Sequence, residues 1–301
     1  MIWLSKSRSL SPEHIITFPP DHWNFNGENR LEVYVKSDKV TAPKLVKKKG
    51  DGEKIVFLTA YDYFTAKQLD AAGVDGLLVG DSLNMVVYGH ENTLSLPLDQ
   101  ILYHTEAVSR AAKRALVVGD MPFMSYQASL SEAVWNAGRF LKEAGAHAVK
   151  LEGGIEMIDV VMRIVESGIP VMGHIGLTPQ SIFKFGGYRV QGKEATEKNY
   201  LFESAEALQE AGCFAVVLEA VKSKIAEEIT GRIDIPTIGI GAGPGCDGQI
   251  MVINDLMGMD EDFYAKFVRR YFNLGQKIRE VGEKYADDVR SGDYPSKDES
   301  Y

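Results

Sequence analysis

What most constrains this chain is a rhythm. From residue 54 onward, short apolar, β-branched runs alternate with longer stretches suited to helices. The runs are "KIVFLTA" (54–60), "GLLVG" (76–80), "ALVVGD" (115–120), "AVKLEG" (148–153), "PVMGHIG" (170–176), "AVVLEA" (215–220), "PTIGIGAG" (236–243) and "QIMVI" (249–253). Between them, 62–73 ends on a glycine placed as a helix C-terminal cap. The stretch 129–145 opens with Ser129 and Glu132 at capping-box spacing and also ends on glycine. The stretch 194–212 repeats the form, and 262–290 reads as a long closing helix. After 236–243 the gap is too short for a full helix. Alternating strands and helices imply parallel pairing through right-handed crossovers. Eight such units in about 250 residues is the usual size of a closed (β/α)8, or TIM, barrel. The competitor is an open doubly wound sheet. No GxGxxG follows the first run, which weakens its dinucleotide-binding version, and eight runs favour closure.

Composition narrows the function. The 301 residues carry a net charge of −9, which argues against a nucleic-acid binder but leaves room for a locally positive site. Two cysteines, Cys213 and Cys246, make no disulfide framework and fit a reducing, cytoplasmic setting. No apolar run approaches the roughly 18 residues of a membrane span. Residues 1–42 read as an N-terminal extension outside the main fold. They carry no secretory signal, only a weak organellar-transit pattern with Lys6 and Arg8. The barrel domain is expected over 43–301, with the basic run "KLVKKKG" (44–50) as a solvated lead-in.

Polar residues then fall in a pattern. Residues two apart on a strand share a face. In "AVKLEGG" (148–154), Val149 and Leu151 share one face, and Lys150 and Glu152 the other. A barrel would pack the first pair on its helices and turn the second pair inward, near the C-terminal mouth where barrel enzymes keep their chemistry. By the same rule Glu219 shares the inner face with Val217, Asp120 with Val118, and Asp81 with Val79. Burying four carboxylates around one lysine is costly without a further cation. Hard oxygen ligands suit Mg²⁺, whereas zinc would call for more His and Cys. His174 reads either as a hydrogen-bonded mouth residue or as a ligand. Asp62 and Asp99 read as helix caps, Tyr103 and His104 as ordinary helix surface or packing, and "GAGPGCDGQ" (241–249) as either a phosphate cradle or a tight turn.

At these residues the chain resembles a known family. "LTAYDY", "VGDSLNMVVYG", "DMPFMSY", "NAGRF", "VKLEGG", "VMGHIGLTPQS", "GGYRVQGK" and "IGIGAGPGCDGQ" occur in the order found in the ketopantoate hydroxymethyltransferases, from about Val40 to the C-terminus. The resemblance implies a (β/α)8 barrel, a Mg²⁺ ion and a homo-oligomer, typically a decamer. It implies transfer of a hydroxymethyl group from 5,10-methylenetetrahydrofolate to the 2-oxo acid 3-methyl-2-oxobutanoate, in pantothenate biosynthesis. Matched motif by motif, it makes Asp81, Asp120 and Glu152 the metal residues. Asp81, Ser82, Asp120 and Lys150 become the ketoacid site, and Glu219 the proton acceptor. Two positions depart from the family pattern: Asn84 stands where glycine is common, and Asn254 where histidine is usual. Asn84 is expected to take the left-handed backbone a glycine would allow. Two other readings are a Mg²⁺-dependent enzyme of the phosphoenolpyruvate mutase and isocitrate lyase type, whose lyases generally use a cysteine loop, and an inactive barrel kept as a binding protein.

Overall fold

A computed structural model describes residues 39–301. Eight parallel strands pair in sequence order and close: β1 (Ile55–Thr59), β2 (Gly76–Val79), β3 (Leu116–Asp120), β4 (Ala148–Glu152), β5 (Val171–Gly176), β6 (Ala215–Glu219), β7 (Thr237–Ile240) and β8 (Gly248–Met251). The helices are α1 (Ala42–Gly50), α2 (Tyr63–Ala71), α3 (Leu83–Val86), α4 (Leu98–Ala111), α5 (Leu130–Lys142), α6 (Ile158–Glu166), α7 (Ile182–Phe185), α8 (Ala195–Glu210), α9 (Ser223–Thr230), α10 (Ile253–Met257) and α11 (Leu274–Ser291). Every expected strand is present, and β7 and β8 are joined without a helix. Among the described residues no helix is long and apolar enough to cross a membrane.

Strand alternation sorts the core into two layers. Val149, Leu151, Val216 and Leu218 pack outward with helix residues such as Phe140 and Leu208. Val118, Ala148, Met172, Val217 and Phe57 fill the barrel interior. Phe57 fits because Gly76 faces it: a Cβ there would stand 2.0 Å from the ring.

Caps set several helix starts. Asp62 accepts the N–H groups of Phe64 and Thr65, both at 2.9 Å, and Ser129 accepts that of Glu132. Asp99 is not a cap. Pro97 occupies that position in extended backbone, and Asp99 sits in the first turn of α4, paired with Arg139 at 2.8 Å.

Two segments differ from expectation. The run 44–50 is no solvated lead-in but most of α1. Leu45 is fully buried with the interior cluster. Lys48 pairs with Asp75 at 2.8 Å and Lys49 with Asp247 at 2.9 Å, at the entrances to β2 and β8. Of the proposed extension only 39–42 is described; Thr41 caps α1 and Val40 is buried. The rest, including Lys6 and Arg8, lies outside the described residues. The closing helix is also shorter than expected, since 262–273 is not helical. There Tyr271 N–H bonds Leu256 O at 2.8 Å, and Arg270 bridges the carbonyls of Asp260, Glu261 and Phe263. Phe263 and Phe267 are drawn to the barrel mouth. These tertiary bonds override a helix-compatible sequence.

Candidate active site

A cavity of about 810 Å³ opens at the C-terminal end of the strands. Asp81, Ser82, Asp120, Lys150, Glu152 and Glu219 all line it. Alternation places Asp120 above Val118, Glu152 beside Lys150, and Glu219 above Val217. It does not place Asp81. Val79 belongs to the outer layer, so an extended chain would turn Asp81 away from the interior. Instead β2 stops at Val79, and the turn through Gly80 and Ser82 swings Asp81 into the cavity, with Asn84 N–H bonding Asp81 O at 2.9 Å.

Asp120 and Lys150 are register partners on β3 and β4, and their side chains meet at 2.7 Å. The second Asp120 oxygen accepts the Asp81 N–H at 3.1 Å. Burial pushes the Asp120 carboxyl up to about 7, with Lys150 opposing and Asp81 adding to the rise. Burial alone would depress Lys150, but Asp120, Glu152 and Asp81 together push it upward, so it stays charged. Glu152 is raised well above the usual carboxylate range by burial and by Asp81. Its Oε2 accepts the Gln180 N–H at 2.9 Å, while its buried Oε1 has no hydrogen-bond partner.

Three buried carboxylates thus crowd a single lysine, with Asp81 raising both Asp120 and Glu152, and Glu152 presents an orphaned oxygen to the cavity. That donor set is all hard oxygen and fits Mg²⁺. Among the described residues, no three Asp, Glu, His or Cys side chains converge as a complete ligand set. An open site suits Mg²⁺, which usually keeps several waters and takes its remaining oxygens from one or two carboxylates and substrate.

Sequence reasoning left Gln180 and Tyr126 without a role, and left His174 open between a hydrogen-bonded mouth residue and a ligand. Gln180, in "LTPQS", donates to Asp81 Oδ2 at 2.9 Å and to Met121 O at 3.0 Å, locking two strand tops together. Tyr126, in "DMPFMSY", lies 2.7 Å from Gln180 Oε1 and accepts the Glu152 N–H at 3.1 Å. His174, the register partner of Glu152, stands between two acids. Its Nδ1 is 3.6 Å from Glu152 Oε1 and its Nε2 3.3 Å from Glu219 Oε2, with neither ring nitrogen in a hydrogen bond. Burial and then Lys150 push His174 well below its ordinary value, so the ring is neutral. Glu219 is pushed up to about 7 by burial, with Lys150 opposing. The motifs carried a signal for Gln180 and Tyr126, but spacing gave no reason for either to reach a carboxylate.

Comparison with known proteins settles the lineage. The profile of the family described as ketopantoate hydroxymethyltransferase matches residues 39–297. A 3-methyl-2-oxobutanoate hydroxymethyltransferase of Syntrophus aciditrophicus is 54% identical over 266 residues, covering 88% of this chain and 98% of the relative. One from Clostridium novyi is 53% identical, covering 87% and 96%. The chain belongs to the ketopantoate hydroxymethyltransferase family. It is therefore an enzyme, a hydroxymethyltransferase. Similar solved structures include a phosphonopyruvate hydrolase complexed with oxalate and Mg²⁺ (TM-score 0.54, 13% identity, 86% of this chain and 93% of that one). A 2,3-dimethylmalate lyase of the phosphoenolpyruvate mutase and isocitrate lyase superfamily has TM-score 0.55 at 16% identity, covering 86% and 91%. At such identity these show a shared fold alone. Neither Cys213 nor Cys246 lines the cavity, and both are buried, so the cysteine loop expected of the lyase reading has no counterpart here.

The two departures from the ketopantoate hydroxymethyltransferase pattern now have positions. Asn84 is buried in α3, where its Nδ2 donates to Asn92 O at 2.7 Å and Ser95 Oγ at 3.0 Å. Its φ is not positive, so it replaces glycine by pinning the following loop rather than by tolerating left-handed backbone. Asn254 lines the cavity mouth and reaches Val86 O at 3.5 Å. The stretch 241–249 forms the tight turn between β7 and β8. Gln249 closes it on Gly243 O at 3.0 Å, and Asp247 binds the Thr237 N–H at 2.8 Å.

Proposed function

We propose that the enzyme transfers a hydroxymethyl group from 5,10-methylenetetrahydrofolate to 3-methyl-2-oxobutanoate, giving 2-dehydropantoate and tetrahydrofolate, with Mg²⁺ bound. The observation that carries this reading is one cavity holding a charged lysine and a carboxylate poised to titrate near 7. Lys150 Nζ and Ser82 Oγ hold the substrate carboxylate. Asp81, Asp120 and Glu152 would hold Mg²⁺, which supplies Lewis acidity toward the keto oxygen when bound. Glu219 takes the C3 proton of the ketoacid; a base with a value near the working pH is suited to that transfer. The electron pair left on C3 attacks the one-carbon unit of the donor. Both C–N bonds of the donor's methylene break: a water supplies the new hydroxyl, and N5 and N10 take up the proton released by that water and the one drawn from C3 as tetrahydrofolate leaves. Neutral His174, set between Glu219 and Glu152, keeps the base apart from the metal-side acid. Gln180 and Tyr126 hold Asp81 and Glu152 in place.

We also propose a homo-oligomer, a decamer by family resemblance. None of the 18 residues of α11 is buried, and Ile278, Val281, Tyr285 and Val289 form an exposed apolar stripe at helical spacing. A second copy of the chain is the occupant this reading assigns to it.

The test is turnover by purified protein with Mg²⁺, ketoacid and methylenetetrahydrofolate, followed by mass spectrometry. The expected result is 2-dehydropantoate formed only when all three are present. Absence of product with the folate donor would sink the proposal.

A further inference from the structure

The cavity is larger than its charged floor requires. A five-carbon ketoacid occupies the ends of β3, β4 and β6, whereas about 810 Å³ is room for a drug-sized ligand. The wall above the floor has a different chemistry. Tyr188, from the loop after α7, and Phe263 and Phe267, from the non-helical stretch before α11, line it and remain partly exposed. Phe267 lies so close to Gly241 that a Cβ there would stand 3.1 Å from its ring. Three exposed aromatics converging on one cavity are costly to keep wet and well suited to stacking on a flat ring.

Polar groups also reach this wall, and Asp255 differs from the others in its setting. Asp255, in α10, lines the cavity half-buried, and its carboxylate has no hydrogen bond or ion pair among the described residues. The nearby Arg270 does not satisfy it, because that guanidinium is committed to the carbonyls of Asp260, Glu261 and Phe263. Burial raises the Asp255 carboxyl to about 6, which leaves it ionised at neutral pH and acceptor-only.

We infer that Tyr188, Phe263, Phe267 and Asp255 form the subsite for the pterin ring of the one-carbon donor, with Asp255 accepting the N–H donors of its 2-amino-4-oxopyrimidine edge. The inference rests on the function proposed above. That edge presents two parallel N–H groups, the 2-amino group and N3–H, and a carboxylate accepts such a pair side by side, as it does the guanidinium fork. The aromatic walls supply face contacts that do not discriminate between flat rings. Asp255 therefore sets donor specificity, while the floor residues set ketoacid specificity.

The experiment measures tetrahydrofolate binding by fluorescence quenching on the Mg²⁺-loaded protein, for wild type, Asp255→Asn and Phe263→Ala. The second probe is 2-desamino-tetrahydrofolate. Hydrogen exchange at C3 of the ketoacid, which needs no donor, reports whether each variant has kept its fold and floor. Asp255→Asn is expected to weaken tetrahydrofolate about 10- to 100-fold, the loss of charge-assisted hydrogen bonds, with exchange retained. The desamino probe, which keeps N3–H, should bind wild type more weakly than tetrahydrofolate and lose less affinity on Asp255→Asn, and Phe263→Ala should weaken both probes. Wild-type affinity in Asp255→Asn overturns the assignment, as does loss of C3 exchange in step with folate affinity. A wild-type protein that exchanges the ketoacid proton yet binds no tetrahydrofolate overturns the donor reading itself.

Discussion

Glu219 and Asp120 both titrate near 7, and for both the main cause is burial, but their neighbours differ. Asp120 is tied to Lys150 and the Asp81 N–H, so its charge has a structural role. Among the described residues the Glu219 carboxylate makes no hydrogen bond and lies against the neutral His174 ring, which leaves it free to exchange a proton. That freedom has a stability cost with a defined sign. Folding raises the Glu219 carboxyl from 4.5 to about 7, so between those values the folded state holds a proton that the unfolded state has released. Stability from this group is therefore full below pH 4.5 and is lost as pH rises through 7. Glu219→Gln should stabilise the protein at pH 8, by at most roughly 3 kcal/mol. At pH 4 it should leave stability nearly unchanged. Urea unfolding at the two pH values checks this, and an equal gap at both would contradict it. At this scale the sequence told most of the story. Residue types and alternation brought Lys150, Glu152, Asp120 and Glu219 to one place. Asp81 reached it by a turn, which a period of two cannot describe. The orphaned oxygen of Glu152 and the reach of Gln180 depend on side chains nearly thirty or more residues apart, and no local pattern encodes them.

Elements were legible where their pattern was self-sufficient. Each strand and the helices α2, α5 and α8 announced themselves through apolar period and terminal glycines or caps. Elements defined by distant partners did not. The basic run of α1 looked solvated because Lys48 and Lys49 are charged, yet their partners Asp75 and Asp247 lie far along the chain. The segment 262–273 looked helical because its apolar residues fit a helix, yet they serve the cavity mouth instead. Helix α11 raises the opposite problem, with a strong apolar stripe and no buried residue. If another copy covers it, charges on the stripe should dissociate the assembly without melting the helix. Val281→Glu combined with Tyr285→Lys should lower the mass seen by light scattering while leaving far-ultraviolet circular dichroism intact. An unchanged mass would remove α11 from the interface.

At the scale of the described residues, a closed barrel with a two-layer core carries a mouth of two chemistries. The closed sheet was readable from the count of eight units, since eight strands and their crossovers leave few other topologies. Family resemblance, not spacing, said what the mouth transforms; strand alternation said only that the charges share one side. The central claim is that this mouth draws a proton from C3 of the ketoacid through Glu219. Its most direct test is deuterium incorporation at C3 of 3-methyl-2-oxobutanoate in D₂O, followed by NMR with Mg²⁺ and no folate. Wild type should exchange the proton, with a rate that rises as pH climbs through about 7. Glu219→Gln should slow it at least about 100-fold, in keeping with the usual contribution of a general base, while Mg²⁺ still binds. Exchange by Glu219→Gln at the wild-type rate would contradict the account.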